Sequence, residues 1–218
     1  MRFVFRVDSS TRIGTGHLMR CLTLASALKN EGAEIYFISR ELPGNLCDFI
    51  ENKCYKVYRL PYSNELVDNK NYKEHESWLG VSWSRDAEET SNILISIGSK
   101  IDCLIVDHYT IDSKWERKIR PFVKKIMVID DLADRSHDCD ILLDQNYYPN
   151  LENRYDGLVP GHCKKLLGPK YALLRPEFIE ARKNLRVRDG RVNRVLIFFG
   201  GTDPTNETEK ALEAIRLL

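Results

Sequence analysis

The spacing of apolar positions changes period repeatedly along the chain, and each change marks an element. Residues 2–8 (RFVFRVD) form a short β-rich run, SSTRIGTG interrupts it, and HLMRCLTLASALKNEG then sets Leu18, Cys21, Leu22, Ala25 and Leu28 at helical spacing. This predicts strand, glycine loop and helix in succession, with Gly32 as the stop signal. AEIYFIS (33–39) reads as a second strand, the segment around 46–51 as a short helix and CYKVYRL (54–60) as a third strand. The polar stretch 61–83, with Trp78 and Trp83, reads as a loop leading to a helix near 85–98. IDCLIVDHY (101–109) has the continuous apolar core of a buried parallel strand. A helix at about 112–124, a strand at KIMVIDD (125–131) and a short strand at ILLDQN (141–146) follow. This alternation predicts an α/β fold, a Rossmann-like parallel sheet with helices on both faces.

The last part of the chain has a different character. LGPKYALLRPEF leads into the basic segment IEARKNLRVRDGRVN (179–193), and RVLIFFGG and TDPTNETEKALEAIRLL then repeat the opening design of strand, turn and helix. The predicted organisation is an N-terminal domain over 1–178, a linker over 179–193 and the start of a second α/β domain over 194–218. One strand and one helix do not close a sheet. The expectation is a truncated second domain, or a tail that packs on the first domain or on another subunit.

Composition narrows the classes. With 43% apolar and 30% charged residues the chain falls in the ordinary globular range. Thirty-three basic residues against 32 acidic give a formal charge of +1, with both signs interspersed, so no field is set up for nucleic acid. No apolar run approaches the ~20 residues of a membrane span, and the first residues read as a strand rather than a signal peptide, which predicts a cytosolic protein with no membrane partner. Six cysteines without a CxxC pair write neither a zinc site nor a redox motif, so most read as reduced core residues.

Candidate chemistry gathers where strands end. Ile13-Gly14-Thr15-Gly16-His17 lies between the first strand and first helix. It reads either as a tight turn or as a loop whose backbone N–H groups approach an anion such as a diphosphate. It is not a dinucleotide fingerprint, since Met19 stands at the third glycine position, nor a P-loop. His17, in the first helical turn, is either a packing residue or a general base kept neutral by the positive helix end. Asp107-His108-Tyr109 closes the apolar strand as a substrate-facing cluster or as a turn cap. Asp130-Asp131 reads as a loop start more than as paired carboxylates, because neighbours on a strand face opposite ways. His75, His137 and His162 lie in polar contexts that predict surface positions, Arg175 pairs with a phosphate or with Glu177 or Glu180, and Gly200-Gly201-Thr202-Asp203 is a second phosphate-sized turn.

Taken together, RVDSSTRIGTGHLMRCLTLA (6–25), IVDHYTID (105–112), CDILLDQN (139–146), YDGLVPG (155–161), GPKYALLRPEF (168–178) and IFFGGTDPTN (197–206) resemble the UDP-sugar hydrolases of pseudaminic acid biosynthesis, a family related to spore-coat polysaccharide proteins. The resemblance covers nearly the whole chain. It implies a glycosyltransferase-B architecture, two Rossmann-like domains flanking a cleft, and hydrolysis of a UDP-2,4-diacetamido-2,4,6-trideoxyhexose to UDP and free sugar without cofactor or metal. It assigns catalysis to His17, as general base, and to Tyr109. Asp8, Gly14, Thr15, Gly16, Asp107, His108, Arg175, Gly201, Thr202 and Asp203 are the candidate substrate-binding residues. The departure lies after Leu218, where most of a second domain is missing, so a complementing chain or oligomer is the expected partner beside the UDP-sugar. A glycosyltransferase, a UDP-sugar epimerase and a non-catalytic binding remnant are the alternatives on the same scaffold.

Overall fold

Alternation along RFVFRV builds the central strand, β1 (Arg2–Val7), which sends Val4 and Arg6 to one side of a sheet and Phe5 and Val7 to the other. The computed structural model describes residues 1–63, 78–98, 101–185, 187, 189–200, 203 and 205–217. Two compact units divide it, Met1–Leu173 and Leu174–Leu218.

In the first unit β1 is followed by α1 (Gly16–Asn30), β2 (Glu34–Arg40), α2 (Cys47–Asn52), β3 (Lys56–Leu60), α3 (Trp83–Ile97), β4 (Cys103–Asp107), α4 (Ser113–Ile119), β5 (Ile126–Ile129), β6 (Ile141–Asp144) and β7 (Lys164–Leu167). All seven strands run parallel in the order β3-β2-β1-β4-β5-β6-β7. This is the Rossmann-like sheet the sequence predicts. The chain builds outward from β1 in one direction through β3 and returns to build in the other from β4, so the topological switch lies between β1 and β4.

Each face of the sheet carries its own apolar layer. Phe5, Val7, Cys103 and Ile105 pack under Leu18, Cys21, Leu22 and Ala25 of α1. On the opposite face Val4, Leu104 and Val106 pack with Ala87 and Leu94 of α3 and with Trp115 and Ile119 of α4. Burying a side chain the size of Leu18 or Leu22 stabilises the fold by ~1.5–3 kcal/mol, so the α1 stripe fixes that helix across the switch point. Local signals set the ends: Ser82 Oγ accepts from Arg85 N at 3.3 Å to start α3, and Asp112 Oδ1 accepts from Lys114 N at 2.9 Å to start α4.

Three expectations are corrected. The helix expected over 112–124 ends at Ile119 and passes into a 3₁₀ turn, Arg120–Phe122, where Pro121 lacks the N–H that an α-helix would use. β7 was not expected; it is a short edge strand pairing Lys164 with Ile141. Residues 194–199 form no strand, because a ladder needs a partner and none pairs with them among the described residues. Among the described residues the second unit contains two helices, α5 (Pro176–Lys183) and α6 (Glu207–Arg216). Among the described residues no helix is long and apolar enough to cross a membrane.

Candidate active site

The loop after β1 is shaped by its own backbone. Ser10 O accepts from Gly14 N at 2.8 Å, and Ser10 Oγ accepts from Arg12 N at 3.2 Å and Ile13 N at 2.9 Å, which curls residues 10–14 into a closed turn. Gly14 has φ +78°, a conformation costly for any residue with a Cβ. Gly16 has no such requirement, and a Cβ there would meet no protein atom within 4 Å, so open space stands over the first turn of α1. Thr15 is the N-cap residue of α1 but makes no side-chain cap.

His17, 8% exposed, follows on that first turn. Its Nδ1 lies 2.5 Å from Asp107 Oδ1 at the end of β4. Arg20 grips the same carboxylate with both prongs, Nε to Oδ2 at 2.6 Å and Nη2 to Oδ1 at 2.7 Å, and the Cys21 thiol donates to Oδ2 at 3.5 Å. His17, Arg20 and Cys21 stand at i, i+3 and i+4 and so share one face of α1. Arg20 Nη2 also lies 3.2 Å from His17 Nδ1. That nitrogen cannot both donate to Asp107 and accept from Arg20, and the shorter contact to a charged acceptor decides that Nδ1 carries the proton. In the neutral ring Nε2 then carries the lone pair, on the ring edge away from the carboxylate, and it has no partner among the described residues. Burial alone would raise the Asp107 carboxyl, but His17 and Arg20 outweigh it and hold the group below the ordinary carboxylate range.

Tyr109 completes this side. Its ring meets the His17 ring edge-on at 4.5 Å, its hydroxyl donates to Asp131 Oδ1 at 2.6 Å, and Trp78 stacks on its far side at 5.8 Å. Burial, and then the hydrogen bond to Asp131, pushes the Tyr109 phenol above its usual value, so it is a neutral donor. Asp131 also receives Arg20 Nη1 at 3.1 Å, and its backbone carbonyl accepts from Tyr148 Oη at 3.0 Å and Arg154 Nη2 at 2.7 Å. The site is a chain of His17, Asp107, Arg20, Asp131 and Tyr109 closing on itself.

Asp8 and His108, expected to face a ligand, lie on the other face of the sheet. Asp8 is 1% and His108 4% exposed. Asp8 Oδ1 accepts from Arg6 Nη1 at 2.6 Å and from Arg40 N at 2.7 Å. Arg6 and Arg40 each donate to Asp86 Oδ2, at 2.6 and 2.7 Å, and Trp115 Nε1 donates to Asp86 Oδ1 at 2.9 Å. His108 Nδ1 accepts from Thr110 N at 3.1 Å, which places the ring proton on Nε2, 3.3 Å from Asp8 Oδ2. Burial pushes the His108 ring toward the neutral form; burial would raise Asp8, but Arg6 and then His108 hold it low. The correction follows from alternation: Asp107 and Tyr109 share a face, and His108 between them points the opposite way.

The remaining candidates separate from this constellation. Asp130, beside Asp131, faces away from it and binds Arg135 Nη1 at 2.9 Å and Ala133 N at 2.9 Å. His137 is buried rather than at the surface, 3% exposed, because the buried Glu116 of α4 takes its Nδ1 at 2.6 Å. His162 is exposed, as expected. Arg175 belongs to the second unit, where its guanidinium lies over the Phe178 ring at 5.1 Å rather than on Glu177 or Glu180. Asp203 caps α6, accepting from Glu207 N at 2.9 Å and Thr208 N at 3.0 Å, and so occupies N–H groups a phosphate would need. His75, Gly201 and Thr202 lie outside the described residues. Among the described residues no group of three or more His, Cys, Asp or Glu side chains is placed to hold a metal. Sequence reasoning missed Arg20 and Asp131 as site residues; the helical period from His17 and the strand period from Asp130 are the signals that find them.

These features define an α/β protein of the Rossmann-like class with a histidine–carboxylate pair at the switch point of its sheet. No protein-family model matches the sequence. The chain is 33% identical over 207 residues to the UDP-2,4-diacetamido-2,4,6-trideoxy-beta-L-altropyranose hydrolase of Campylobacter jejuni, covering 94% of this chain and 62% of that protein. It is 27% identical over 220 residues to an uncharacterized protein of Methanocaldococcus jannaschii, covering 99% of this chain and 40% of that one. The chain therefore spans less than two thirds of either relative. The solved structure of LpCGTa in complex with UDP overlaps 59% of this chain and 31% of its own at a TM-score of 0.40 and 19% identity. The resemblance read from the sequence segments thus extends, in the hydrolase alignment, over nearly the whole chain.

Proposed function

We propose that this chain carries the base-bearing half of a nucleotide-sugar hydrolase acting on a UDP-linked 2,4-diacetamido-2,4,6-trideoxyhexose, as in pseudaminic acid biosynthesis. The observation that carries the reading is the His17–Asp107 pair: a ring nitrogen with a lone pair, fixed in tautomer by a buried carboxylate, beside open space at a helix start. Similarity to a UDP-sugar hydrolase supports it independently.

In this mechanism His17 Nε2 takes a proton from water as the water oxygen bonds to the anomeric carbon. The bond from that carbon to the UDP oxygen breaks with its electron pair on UDP, and the sugar leaves with inverted configuration. Asp107 balances the positive charge the ring acquires, and Arg20 keeps both carboxylate oxygens in place. Tyr109 acts through its ring, packed edge-on against the imidazole, while Asp131 holds its hydroxyl. First-turn N–H groups of α1, under the open space at Gly16, face the departing diphosphate. In this reading the remaining contacts to uridine come from a second domain.

The test is UDP release from UDP-2,4-diacetamido-2,4,6-trideoxy-β-L-altrose, with His17→Ala in parallel. Release by the wild type that vanishes in a folded variant is the expected result. Full turnover in the variant would sink the assignment of the base, and transfer to a sugar acceptor in preference to water would replace hydrolase by transferase.

A further inference from the structure

Beside the candidate base lies a second concavity that the proposed chemistry does not use. It has a volume of about 140 Å³ and is lined, among the described residues, by Ser10, Thr11, Arg12 and Ile13 after β1, Leu42 and Pro43 after β2, Tyr62 after β3, and Trp78 and Gly80 before α3. Every segment comes from the carboxyl-end side of the sheet, where ligands of such sheets bind. Whole-ligand pockets run to roughly 300–1,000 Å³, so this one takes a substituent rather than a hexose.

Its chemistry is specific. Leu42, Ile13, Pro43 and the Trp78 indole give an apolar and aromatic lining. At its mouth Ser10 Oγ already accepts two backbone N–H groups, which leaves its O–H as a donor to a carbonyl. The Trp78 ring stacks at 5.8 Å on Tyr109, which itself touches His17, so the wall of the pocket runs directly to the reacting centre. A short group that is flat and polar at its root and apolar at its tip matches this lining, and an acylamino group has that form. An ammonium in the same place would lose its water against a mostly apolar lining, beside the Arg12 side chain.

We propose that this pocket is the specificity subsite for an N-acyl substituent of the sugar, the amide plane lying on Trp78 and the methyl end against Ile13, Leu42 and Pro43. The inference rests on the nucleotide-sugar reading and adds what selects the sugar. The experiment compares kcat/KM for the diacetamido donor and for the same UDP-sugar with one acetyl group removed, in the wild type, Trp78→Ala and Thr11→Phe. Thr11 is exposed and lines the pocket, so Phe there adds bulk at its wall from outside the Trp78–Tyr109 stack. The ratio of the two donors is expected to fall about 10- to 100-fold in both variants, the usual worth of a small group in an apolar pocket. An unchanged ratio in both, with hydrolysis intact, overturns the subsite and leaves the hydrolase reading standing. If the wild type releases UDP from neither donor, this chain does not hydrolyse the sugar on its own, and saturation-transfer NMR with the free diacetamido sugar decides the subsite. Acetyl-methyl saturation that disappears in Thr11→Phe upholds it, and its absence in the wild type overturns it.

Discussion

Two histidine–carboxylate pairs stand within a few residues of each other at the ends of β1 and β4, on opposite faces of the sheet. His17 meets Asp107 on the α1 face, and His108 meets Asp8 on the face of α3 and α4. In the first the carboxylate takes Nδ1 and leaves Nε2 without a partner among the described residues. In the second a backbone N–H takes Nδ1, the carboxylate faces Nε2, and both groups are closed in with Arg6, Arg40 and Asp86. A histidine beside a carboxylate is therefore not by itself a catalytic sign. What separates the pairs is where the second ring nitrogen lies: His108 Nε2 is buried 3.3 Å from the Asp8 carboxylate, whereas Asp107 takes His17 Nδ1 and leaves Nε2 on the ring edge away from it.

The sharpest break in this comparison is catalytic. Replacing His17 by Gln is expected to lower turnover by at least about 10³-fold, while the melting temperature stays within a few degrees. His108→Asn is expected to leave kcat within a few-fold and to lower stability instead; equal losses of kcat in the two variants would erase the distinction.

Next in size is the buried network. Asp8→Ala strands part of the Arg6 charge in the core and is expected to cost about 3–5 kcal/mol in urea unfolding, with activity per folded molecule retained. A loss under about 1 kcal/mol would show that Asp86 alone satisfies Arg6.

Acid sharpens the same contrast. Asp8 is held low in the folded state, so the folded chain keeps it ionised at pH values where the unfolded chain, titrating near 4, has taken the proton. Its contribution is complete above about pH 5 and is lost as pH falls through the folded value. The stability gap between wild type and Asp8→Ala is expected to be constant from pH 8 to about 5 and to close below about 4. A gap that widens in acid would reverse the sign assigned here.

The smallest effect is expected at Tyr109. Phe keeps the ring against His17 and removes the hydroxyl with its hydrogen bond to Asp131, about 1 kcal/mol of stability. A kcat loss beyond about tenfold would mean that the hydroxyl reaches the reacting groups.

Much of this was legible in the sequence because it depends on short-range periods. The strands from β1 to β6, the glycine loop and the helix carrying His17 all follow from local spacing. β7 escaped because Lys164 and Lys165 read as a loop, although an edge strand tolerates exposed lysines. RVLIFFG misled for the converse reason, since its residues favour a strand that has nothing to pair with among the described residues. Within the site, His17, Asp107 and Tyr109 were legible, whereas the partner of His17 was not, because Asp8, Asp107 and His108 could each have filled that role. Applying strand alternation to Asp107-His108-Tyr109, as to Asp130-Asp131, separates them.

The strand order has a consequence for how the molecule is made. β1 precedes every other strand of this sheet in the sequence, yet it is flanked by β2 on one side and by β4 on the other, and β4 begins only at Cys103. During synthesis one edge of β1 stays without its neighbour until β4 has been made, and the β1–β4 pairing is a long-range closure of the slow kind. The His17–Asp107 contact of the candidate site spans the same gap, so it forms only once β1 and β4 have come together.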